Sequence, residues 1–477
     1  MMMIQGIIRI ILLILSVAAY CLAANFTWVI YFAPLPLFLL VLSERAMLGF
    51  ALAFLAYFFG NLAGLYSVYV GTGYPLLYAL LPIGIEAAVF AAILSLVRLY
   101  SFRFRSWPAI FVFPACWVTY QFILMQFPGG DLTGVPVVFF LPLLQIVSIT
   151  GLLGLSFLAC LIPSGLAMCW FFLLANRRQA YYSLAATLLT LLFVVGFGLV
   201  VLGQPSSFPK IKVGLAAKNP THLKDFREFQ KKEPLAAARN IASAVPVLAA
   251  KGAKFILQPE LSLLIAPDME AQVVSILSQA ASENQVYLFV AVGLIDRPVQ
   301  NNALFAFDPH GTQIALYKKR HLVSGLEANF TPGNELVTLS IPEGLIGLAI
   351  CHDMDFIQPV RDYSKLGTGI LFVPAEDFGV KSDGKWHAEF AIAHSISGGF
   401  SLARSAYFGF LSLTDPRGRV IAWEPTQIEE ETYAIGEVPV GGGRTVYAYL
   451  GNWFVWLNCL GVALILGRLA MKIASRK

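Results

Sequence analysis

The sequence predicts a multi-span α-helical membrane domain of about eight helices and an α/β domain outside the membrane. Hydrophobic residues make up 58% of the 477 residues and charged residues only 13%, which excludes an ordinary soluble protein. The apolar residues are concentrated in 1–203 and in the last part of the chain, whereas 204–446 has the mixed composition of a soluble domain. Strand-like and helix-like segments alternate within 204–446, as they do in α/β folds.

The N-terminal membrane domain, 1–203, has about seven predicted helices. A membrane span needs about 20 apolar residues. Segments of this kind lie at 6–24, 27–43, 47–70, 77–97, 107–127, 150–174 and 181–203. The apolar segment 139–149 is interpreted as an interfacial or re-entrant piece. The C-terminal part, 447–477, contains an eighth span at about 449–468 and a cytoplasmic tail.

Basic residues predict the orientation of these helices. The alternate loops, near 25, 71–76 and 128–149, have no Lys or Arg. The other helix ends carry eleven, namely Arg9, Arg45, Arg98, Arg103, Arg105, Arg177, Arg178, Arg468, Lys472, Arg476 and Lys477. Both termini should therefore be cytoplasmic, with 204–446 in the periplasm of a bacterium and the helices in its inner (plasma) membrane. The net charge of +5 comes largely from these anchoring residues and does not indicate a nucleic-acid partner.

The extramembrane segment predicts a two-sheet, helix-flanked α/β sandwich. Five parts of it have a clear pattern, with strands at 211–217, 254–260 and 286–295 and helices at 233–250 and 270–284. The helical spacing of 233–250 is expected to break at Pro246. Two later hairpins are predicted, with turns at 308–311 and 415–418. Helices between the early strands and paired strands later in the segment favour the sandwich.

Cys351 is the first candidate for a catalytic residue. It is the only cysteine in 204–446 and follows the apolar run 345–350, so it lies at the tip of a predicted strand without a disulfide partner in its domain. A lone thiol on the oxidising side of a membrane favours a chemical role, and a buried structural cysteine is the alternative. Glu260 and Lys319 also lie at predicted strand ends, and strand ends at one sheet edge can bring such residues together.

These three side chains form a chemically coherent set. Glu260 could act as general base towards the thiol, Lys319 could stabilise an oxyanion, and Cys351 could form an acyl thioester. A base is needed because a free thiol is only slightly ionised at neutral pH. The sequence shows no metal-ligand spacing and no nucleotide-binding glycine-rich loop, so we expect neither a metal nor another cofactor.

Three segments resemble the carbon–nitrogen hydrolase (nitrilase) superfamily. They are QPELSLL, YKKRHLV and AICHDMDF, at 258–264, 317–323 and 349–356. The resemblance implies an αββα sandwich and a catalytic triad of Glu260, Lys319 and Cys351. It also implies that Glu327 is a second glutamate that assists the site, and the segment from Glu327 to Asn334 is interpreted as a lid.

The membrane layout resembles that of the apolipoprotein N-acyltransferases within this superfamily. Two segments outside the triad share the resemblance, PLLQIVSITGLLGLSFL at 142–158 and GRTVYAYLGNWF at 443–454. It implies transfer of a fatty acyl chain from a phospholipid donor, through an acyl-cysteine, to the N-terminal amine of an S-diacylglyceryl-cysteine lipoprotein or a related amine. Because each CH₂ moved from the lipid bilayer into water costs about 0.8 kcal/mol, the pocket should open at membrane height.

The residues around the triad depart from the family pattern. His352 and Asp353 follow the nucleophile where the family has Tyr-Glu, and Asp377 lies in a segment, 374–379, that replaces Asn-Asp-Ala/Gly-Trp-Phe-Gly. We predict that these three residues line the substrate site. His352, Asp377 and Glu376 of the same segment could tune the thiol pKa or bind a different amine, with ordinary polar lining of a solvated cleft as the alternative. Two other functions stay open: a membrane-tethered amidase or nitrilase-type hydrolase of C–N bonds, and a catalytically silent scaffold.

Overall fold

The N-terminal part of the protein is a bundle of apolar helices. The computed structural model describes residues 2–23, 26–72, 76–127, 135–173, 175–205, 207–377, 383–442 and 444–475. The helices of this part are α1 (Met2–Ala23), α2 (Pro34–Ser43), α3 (Ala46–Thr72), α4 (Leu76–Phe104), α5 (Val112–Leu124), α6 (Leu141–Leu144), α7 (Val147–Thr150), α8 (Leu153–Leu173) and α9 (Arg177–Gly203). The segment predicted to be interfacial is thus folded as two short helices, α6 and α7.

Six helical segments among the described residues are long and apolar enough to cross a membrane. They are Gly6–Ala23, Leu80–Phe104, Trp107–Leu124, Leu153–Leu173, Arg177–Gly203 and Trp453–Ala474. The predicted span at 27–43 corresponds to the shorter apolar segment Thr27–Ser43. The predicted span at 47–70 lies within α3. The predicted multi-span helical class is confirmed. The predicted number of about eight membrane helices is approximate.

The α/β part follows α9 and consists of one seven-stranded and one six-stranded sheet with helices outside them. Its strands are β1 (Lys210–Lys218), β2 (Phe255–Leu257), β3 (Leu263–Ile265), β4 (Tyr287–Leu294), β5 (Asn301–Phe307), β6 (Gln313–Lys318), β7 (Val337–Ile341), β8 (Gly344–Leu348), β9 (Ile370–Glu376), β10 (Ser401–Tyr407), β11 (Phe410–Thr414), β12 (Val420–Pro425) and β13 (Glu431–Pro439). Its helices are α10 (Leu223–Lys232), α11 (Pro234–Ala250), α12 (Glu270–Asn284), α13 (Ile357–Leu366) and α14 (Asp383–Gly398), and the chain continues into α15 (Val446–Leu450) and α16 (Trp453–Ala474).

The strand order confirms the predicted αββα sandwich. The first sheet runs β13-β1-β2-β4-β5-β6, with β3 beside β4, and the second runs β12-β11-β10-β9-β8-β7. Both predicted hairpins are present, as the antiparallel pairs β5–β6 and β11–β12. Apolar side chains such as Leu257, Phe289, Phe372 and Leu413 fill the space between the sheets. The outer layers are α11 and α12 on the first sheet and α13 and α14 on the second.

Helix α11 continues through Pro246, so the predicted break there is wrong. A proline inside a helix costs about 3 kcal/mol because it removes a hydrogen bond and crowds the preceding turn. The same helix buries Ile241, Val245 and Leu248 against the first sheet. Each fully buried aliphatic side chain contributes about 1.5–3 kcal/mol, so packing outweighs the local cost of the proline.

The α/β sandwich packs directly on the membrane helices. Leu144 of α6 belongs to the same apolar cluster as Phe390 and Ile396 of α14. The Gln145 side-chain amide after α6 also donates to the carbonyl oxygen of Arg417 at 3.0 Å. The outer helical layer of the second sheet, and with it the end of β8 near Cys351, is therefore held close to the helical bundle.

Candidate functional site

Cys351 lies directly after β8, at the first residue of a short 3-10 helix, Cys351–Asp355. Its φ of +42° is in the left-handed region, which is unfavourable for a residue with a side chain and is found mainly at functional sites. The thiol is partly buried, and its Sγ lies 3.9 Å from the carbonyl oxygen of Glu376 at the end of β9. The turn presents the thiol at the end of the sandwich, as a nucleophile requires.

Glu260 and Lys319 lie in one buried network with Glu327. The Lys319 Nζ donates to Glu260 Oε1 at 2.8 Å and to Glu327 Oε2 at 2.7 Å. The Lys319 side chain is only 1% exposed, so these carboxylates replace its water. Asn302 of β5 makes a second bridge, since its Nδ2 donates to Glu260 Oε1 at 2.6 Å and to Glu327 Oε1 at 2.7 Å.

The site is assembled from both sheets. Glu260 follows β2 and Lys319 follows β6 in the first sheet, whereas Cys351 follows β8 in the second. The expectation of a single sheet edge is therefore wrong. Glu376, at the end of β9, joins the two halves: its backbone N–H donates to Glu260 Oε2 at 3.0 Å, and its carbonyl oxygen faces the thiol of Cys351.

The charges of this network affect two pKa values in opposite ways. Burial disfavours the cation of Lys319, but the negative groups around it, Glu260 first, raise its pKa and keep it charged. Burial raises the pKa of the Cys351 thiol, and the charge of Glu260 raises it further against the opposing effect of Lys319. The resting thiol is therefore protonated, and a nearby base is required before it can attack a carbonyl carbon.

Asp353 is fully buried under the turn that carries Cys351. Its carboxylate accepts hydrogen bonds from Tyr317 Oη at 2.6 Å and from the backbone N–H groups of Arg320, His321 and Ile350 at 3.2, 2.9 and 3.0 Å, and it contacts His321 Nδ1 at 2.9 Å. Burial opposes its charge, but the hydrogen bonds from His321 and Tyr317 lower its pKa. Asp353 therefore ties the segment after β6, which carries Lys319, to the turn at Cys351, and it does not line a solvated cleft.

Asp377 is also buried and forms a two-point ion pair with Arg404. The Arg404 Nη1 and Nη2 atoms donate to Asp377 Oδ2 and Oδ1 at 3.0 and 2.5 Å, and His387 Nδ1 lies 3.2 Å from Oδ1. Burial opposes the charge of Asp377, but Arg404 lowers its pKa. A small cavity of about 10 Å³ is lined by Arg404, His387 and Cys351, among others, and not by Asp377. Asp377 thus orients residues that face the thiol.

We expect Asp377→Asn to lower the stability of the folded protein, because Asp377 holds Arg404 and does not itself line the cavity at Cys351. The substitution leaves the buried Arg404 cation unpaired, which costs about 3–5 kcal/mol. Thermal unfolding of the full-length protein in detergent, followed by tryptophan fluorescence, should show a lower Tm for Asp377→Asn, with the exposed Asp268→Asn as control. Because the pKa of Asp377 is lowered, its contribution is complete above the ordinary value of 3.8 and is lost as pH falls through the folded-state value. Equal Tm values for both variants would contradict the structural role.

His352 and Glu327 occupy different positions around the nucleophile. His352 is the second residue of the 3-10 helix, with Nδ1 at 3.3 Å from the carbonyl oxygen of His321 and its ring at about a right angle to that of Phe356. Glu327 is 8% exposed and also accepts from the backbone N–H of Val323 at 2.7 Å. The segment that follows, predicted to be a lid, is fixed at its far end, since the N–H of residue 333 donates to the carbonyl oxygen of Lys319 at 2.8 Å.

Sequence reasoning missed Asn302 and Arg404. Asn302 is the second residue of β5, and two adjacent amides, Asn301 and Asn302, at the start of an otherwise apolar buried strand were the available signal. Arg404 gives a similar signal, since it is a charged residue inside the buried strand β10. Among the described residues, no group of three or more His, Cys, Asp or Glu side chains has the arrangement of a metal site.

A second, larger cavity is lined in part by α10. Its volume is about 520 Å³, and Asp225, Phe226, Tyr407, Glu429 and Glu431 are among its lining residues. Cys351 does not line it, so the candidate site around the thiol does not include this cavity.

Most of the chain is similar to proteins of two known families. The model of the carbon-nitrogen hydrolase family matches residues 227–446, and that of the apolipoprotein N-acyltransferase N-terminal domain matches residues 11–165. The apolipoprotein N-acyltransferase of Geobacter metallireducens is 26% identical over 388 residues, covering 74% of this chain and 73% of that protein. The one from Shewanella oneidensis is 26% identical over 405 residues, covering 76% and 74%. A solved amidase of Nesterenkonia is 20% identical and covers 50% of this chain and 94% of its own, with a TM-score of 0.41.

Proposed function

The chain belongs to the apolipoprotein N-acyltransferase family, and on that premise we propose that it moves a fatty acyl chain from a phospholipid to the N-terminal amine of an S-diacylglyceryl-cysteine lipoprotein or a related amine. The observation that carries this proposal is the buried network of Glu260, Lys319 and Glu327, joined to Cys351 through the backbone of Glu376. This network has the parts that a double displacement needs: a nucleophile, a base and a fixed cation.

In the first half-reaction, Cys351 attacks the ester carbonyl carbon of the phospholipid. Glu260 takes the thiol proton as the C–S bond forms, and Lys319 stabilises the negative charge that develops on the carbonyl oxygen. When the tetrahedral intermediate collapses, the ester C–O bond breaks and the proton on Glu260 goes to the leaving alkoxide. The products are a lysophospholipid and an acyl thioester on Cys351.

In the second half-reaction, the acceptor amine attacks the thioester carbonyl carbon. Glu260 takes a proton from the amine as the C–N bond forms, and it returns that proton to the Cys351 sulfur as the C–S bond breaks. The free thiol is restored and the acceptor carries an amide. Glu327 shares the Lys319 cation throughout, which keeps its ammonium group fixed between the two carboxylates.

The packing of the sandwich on the helical bundle supports a lipid substrate. Both proposed substrates carry acyl chains that are costly to bring into water, and α14 packs on α6 beside the site. We propose residues 1–203 and 447–477 as the membrane parts and 204–446 as the catalytic domain. The charge asymmetry supports cytoplasmic termini and a periplasmic catalytic domain in the bacterial inner membrane.

Intact-protein mass spectrometry of the purified full-length protein incubated with phospholipid tests the proposal. We expect a mass increase of one fatty acyl chain that hydroxylamine removes and that is absent from Cys351→Ser. The matched control is Cys459→Ser in the last membrane helix, which should keep the adduct. When a diacylglyceryl peptide is then added, the adduct should disappear and the peptide should gain the acyl chain. This result would support the second half-reaction. Loss of the adduct to water alone would support the hydrolase, and no adduct on the wild type would contradict acyl transfer from phospholipid.

A further inference from the structure

Helix α10 contacts the turn that follows Glu260, and its residues also line the larger cavity. Its residue Arg227 points towards the site and forms an ion pair with the Glu376 side chain. Arg227 and Glu376 are 19% and 20% exposed, so water reaches neither freely. Sequence reasoning selected Glu376 as a titratable group near the nucleophile but did not select Arg227, and neither side chain has a role in the two half-reactions described above.

The same helix is fastened to the turn that follows Glu260. Arg227 also donates to the carbonyl oxygen of Leu261. Gln230, one turn further along α10, donates from Nε2 to the carbonyl oxygens of Leu261 and Ser262 at 3.1 and 2.6 Å. Leu261 has a φ of +49°, an unfavourable value for a leucine, so this turn persists only where its surroundings hold it.

The two attachments act on the Glu260 carboxylate from both sides. One fixes the residue directly after Glu260, and the other fixes Glu376, whose N–H donates to Glu260 Oε2 at 3.0 Å. The carbonyl oxygen of Glu376 is also the polar group that faces the Cys351 sulfur. A displacement of Glu376 would therefore change the position of both the base and the nucleophile.

We propose that α10 is a positioning element, in which the Arg227–Glu376 ion pair and the contacts of Arg227 and Gln230 with the turn after Glu260 set the Glu260 carboxylate beside the Cys351 thiol. The inference rests on the proposed function for the role of Glu260 as base. Arg227 touches no reacting atom, so it is a positioning residue. A misplacement of about 1 Å can cost 10²-fold in rate, which sets the size of the expected effect.

The variant Arg227→Met keeps most of the side-chain volume and removes the guanidinium group. We expect kcat of the full-length protein, assayed with phospholipid and a diacylglyceryl peptide, to fall on the order of 10²-fold, with the KM for the peptide changed much less. Arg227→Lys should recover part of the rate. Glu376→Gln should show a similar fall in kcat. The kcat of the double variant should be little lower than that of the slower single variant, because both substitutions act through one contact.

Arg297→Met is the matched control. Arg297 is 20% exposed, pairs with Glu270 at 3.0 Å and also donates to backbone carbonyl oxygens, and its described contacts include none of Glu260, Glu376 and Cys351. Its removal should lower Tm about as much as Arg227→Met without the loss of kcat. An Arg227→Met protein whose kcat matches that of Arg297→Met, or whose loss of activity equals its loss of folded protein, would overturn the proposal.

The pKa of the Cys351 thiol, obtained from the rate of its alkylation as a function of pH, gives a readout that does not depend on the substrate. The charged groups facing the thiol are Glu260, Lys319, Asp377 and Arg404, with Asp355 and His387 beside the cavity. Loss of a nearby cation would by itself raise this pKa. If Arg227→Met instead displaces Glu260, whose charge raises the thiol pKa, the pKa should fall, as in Glu260→Gln. An unchanged or higher pKa would overturn the positioning role even if the wild type shows no acyl transfer.

Discussion

Replacing Lys319 by methionine is expected to abolish activity and to weaken the fold in the same protein. The ammonium group lies between Glu260 and Glu327 at 2.8 and 2.7 Å and is 1% exposed. Without it, two buried carboxylates face each other with no cation between them. Removing one partner of such a buried network costs about 3–5 kcal/mol. The loss of a group that stabilises the oxyanion adds a fall in kcat of about 10²–10³-fold.

The activity loss should exceed the oxyanion contribution, because the base is also affected. Two carboxylates that share a site without a cation cannot both stay ionised easily, so one of the two takes up a proton. A base that is protonated cannot take the thiol proton, and general base catalysis contributes about 10²–10⁴-fold. We therefore expect turnover by Lys319→Met to fall by more than about 10³-fold.

The neighbouring Lys318→Met is the control for this prediction. Lys318 ends β6, is exposed and contacts neither glutamate among the described contacts, so its variant should keep both Tm and activity. A second variant, Lys319→Met with Glu327→Gln, removes one of the two facing carboxylates and should recover Tm without recovering activity. If Lys319→Met behaves like Lys318→Met, the buried network does not carry the chemistry.

The stability of Lys319→Met should also depend on pH in a defined direction. Without the ammonium group, the two facing carboxylates repel each other where both are ionised and cease to do so where one is protonated. The Tm difference from wild type should therefore be larger at about pH 8 than at about pH 5. Thermal unfolding at the two pH values checks the sign, and a gap that widens on acidification would contradict it.

The sequence predicts candidate site residues where polar side chains follow strands. Glu260, Lys319 and Cys351 each follow an apolar run, and the chemistry of a carboxylate, an amine and a thiol limits what they can do together. The sequence could not show that Cys351 belongs to the other sheet, because strand order depends on which apolar faces pack together. The register between β8 and β9 is one such long-range pairing.

The roles of side chains that position other side chains could not be predicted from the sequence. Arg227 lies on an amphipathic helix where an exposed arginine is expected, and only the fold brings it to Glu376, 149 residues later. Asp353 and Asp377 were visible as acids near the nucleophile, but burial and partners decide whether an acid faces substrate or holds a neighbour. The structure places both beneath the site, where hydrogen bonds from His321 and the ion pair with Arg404 keep them ionised.

Replacing Glu260 by glutamine is expected to lower turnover by about 10²–10⁴-fold while the protein stays folded, because the general base is lost and the side-chain volume is kept. The carboxylate accepts from Lys319 and Asn302 at one oxygen and from the N–H of Glu376 at the other. A glutamine has a single acceptor oxygen, so one of these donors must face an NH₂ group. The unsatisfied contact costs about 1–3 kcal/mol, which is less than the cost of losing Lys319.

The thiol of this variant should become more acidic although the enzyme becomes slower. The charge of Glu260 raises the pKa of Cys351, and Lys319 and Arg404 still lower it when that charge is gone. Alkylation rates as a function of pH should therefore show a lower thiol pKa for Glu260→Gln than for wild type. If Glu260 only polarised the thiol, a more acidic thiol would mean a faster enzyme. A Glu260→Gln enzyme that is slow although its thiol is more acidic would assign proton transfer to Glu260. A Glu260→Gln enzyme as fast as wild type would show that Glu260 is not the base.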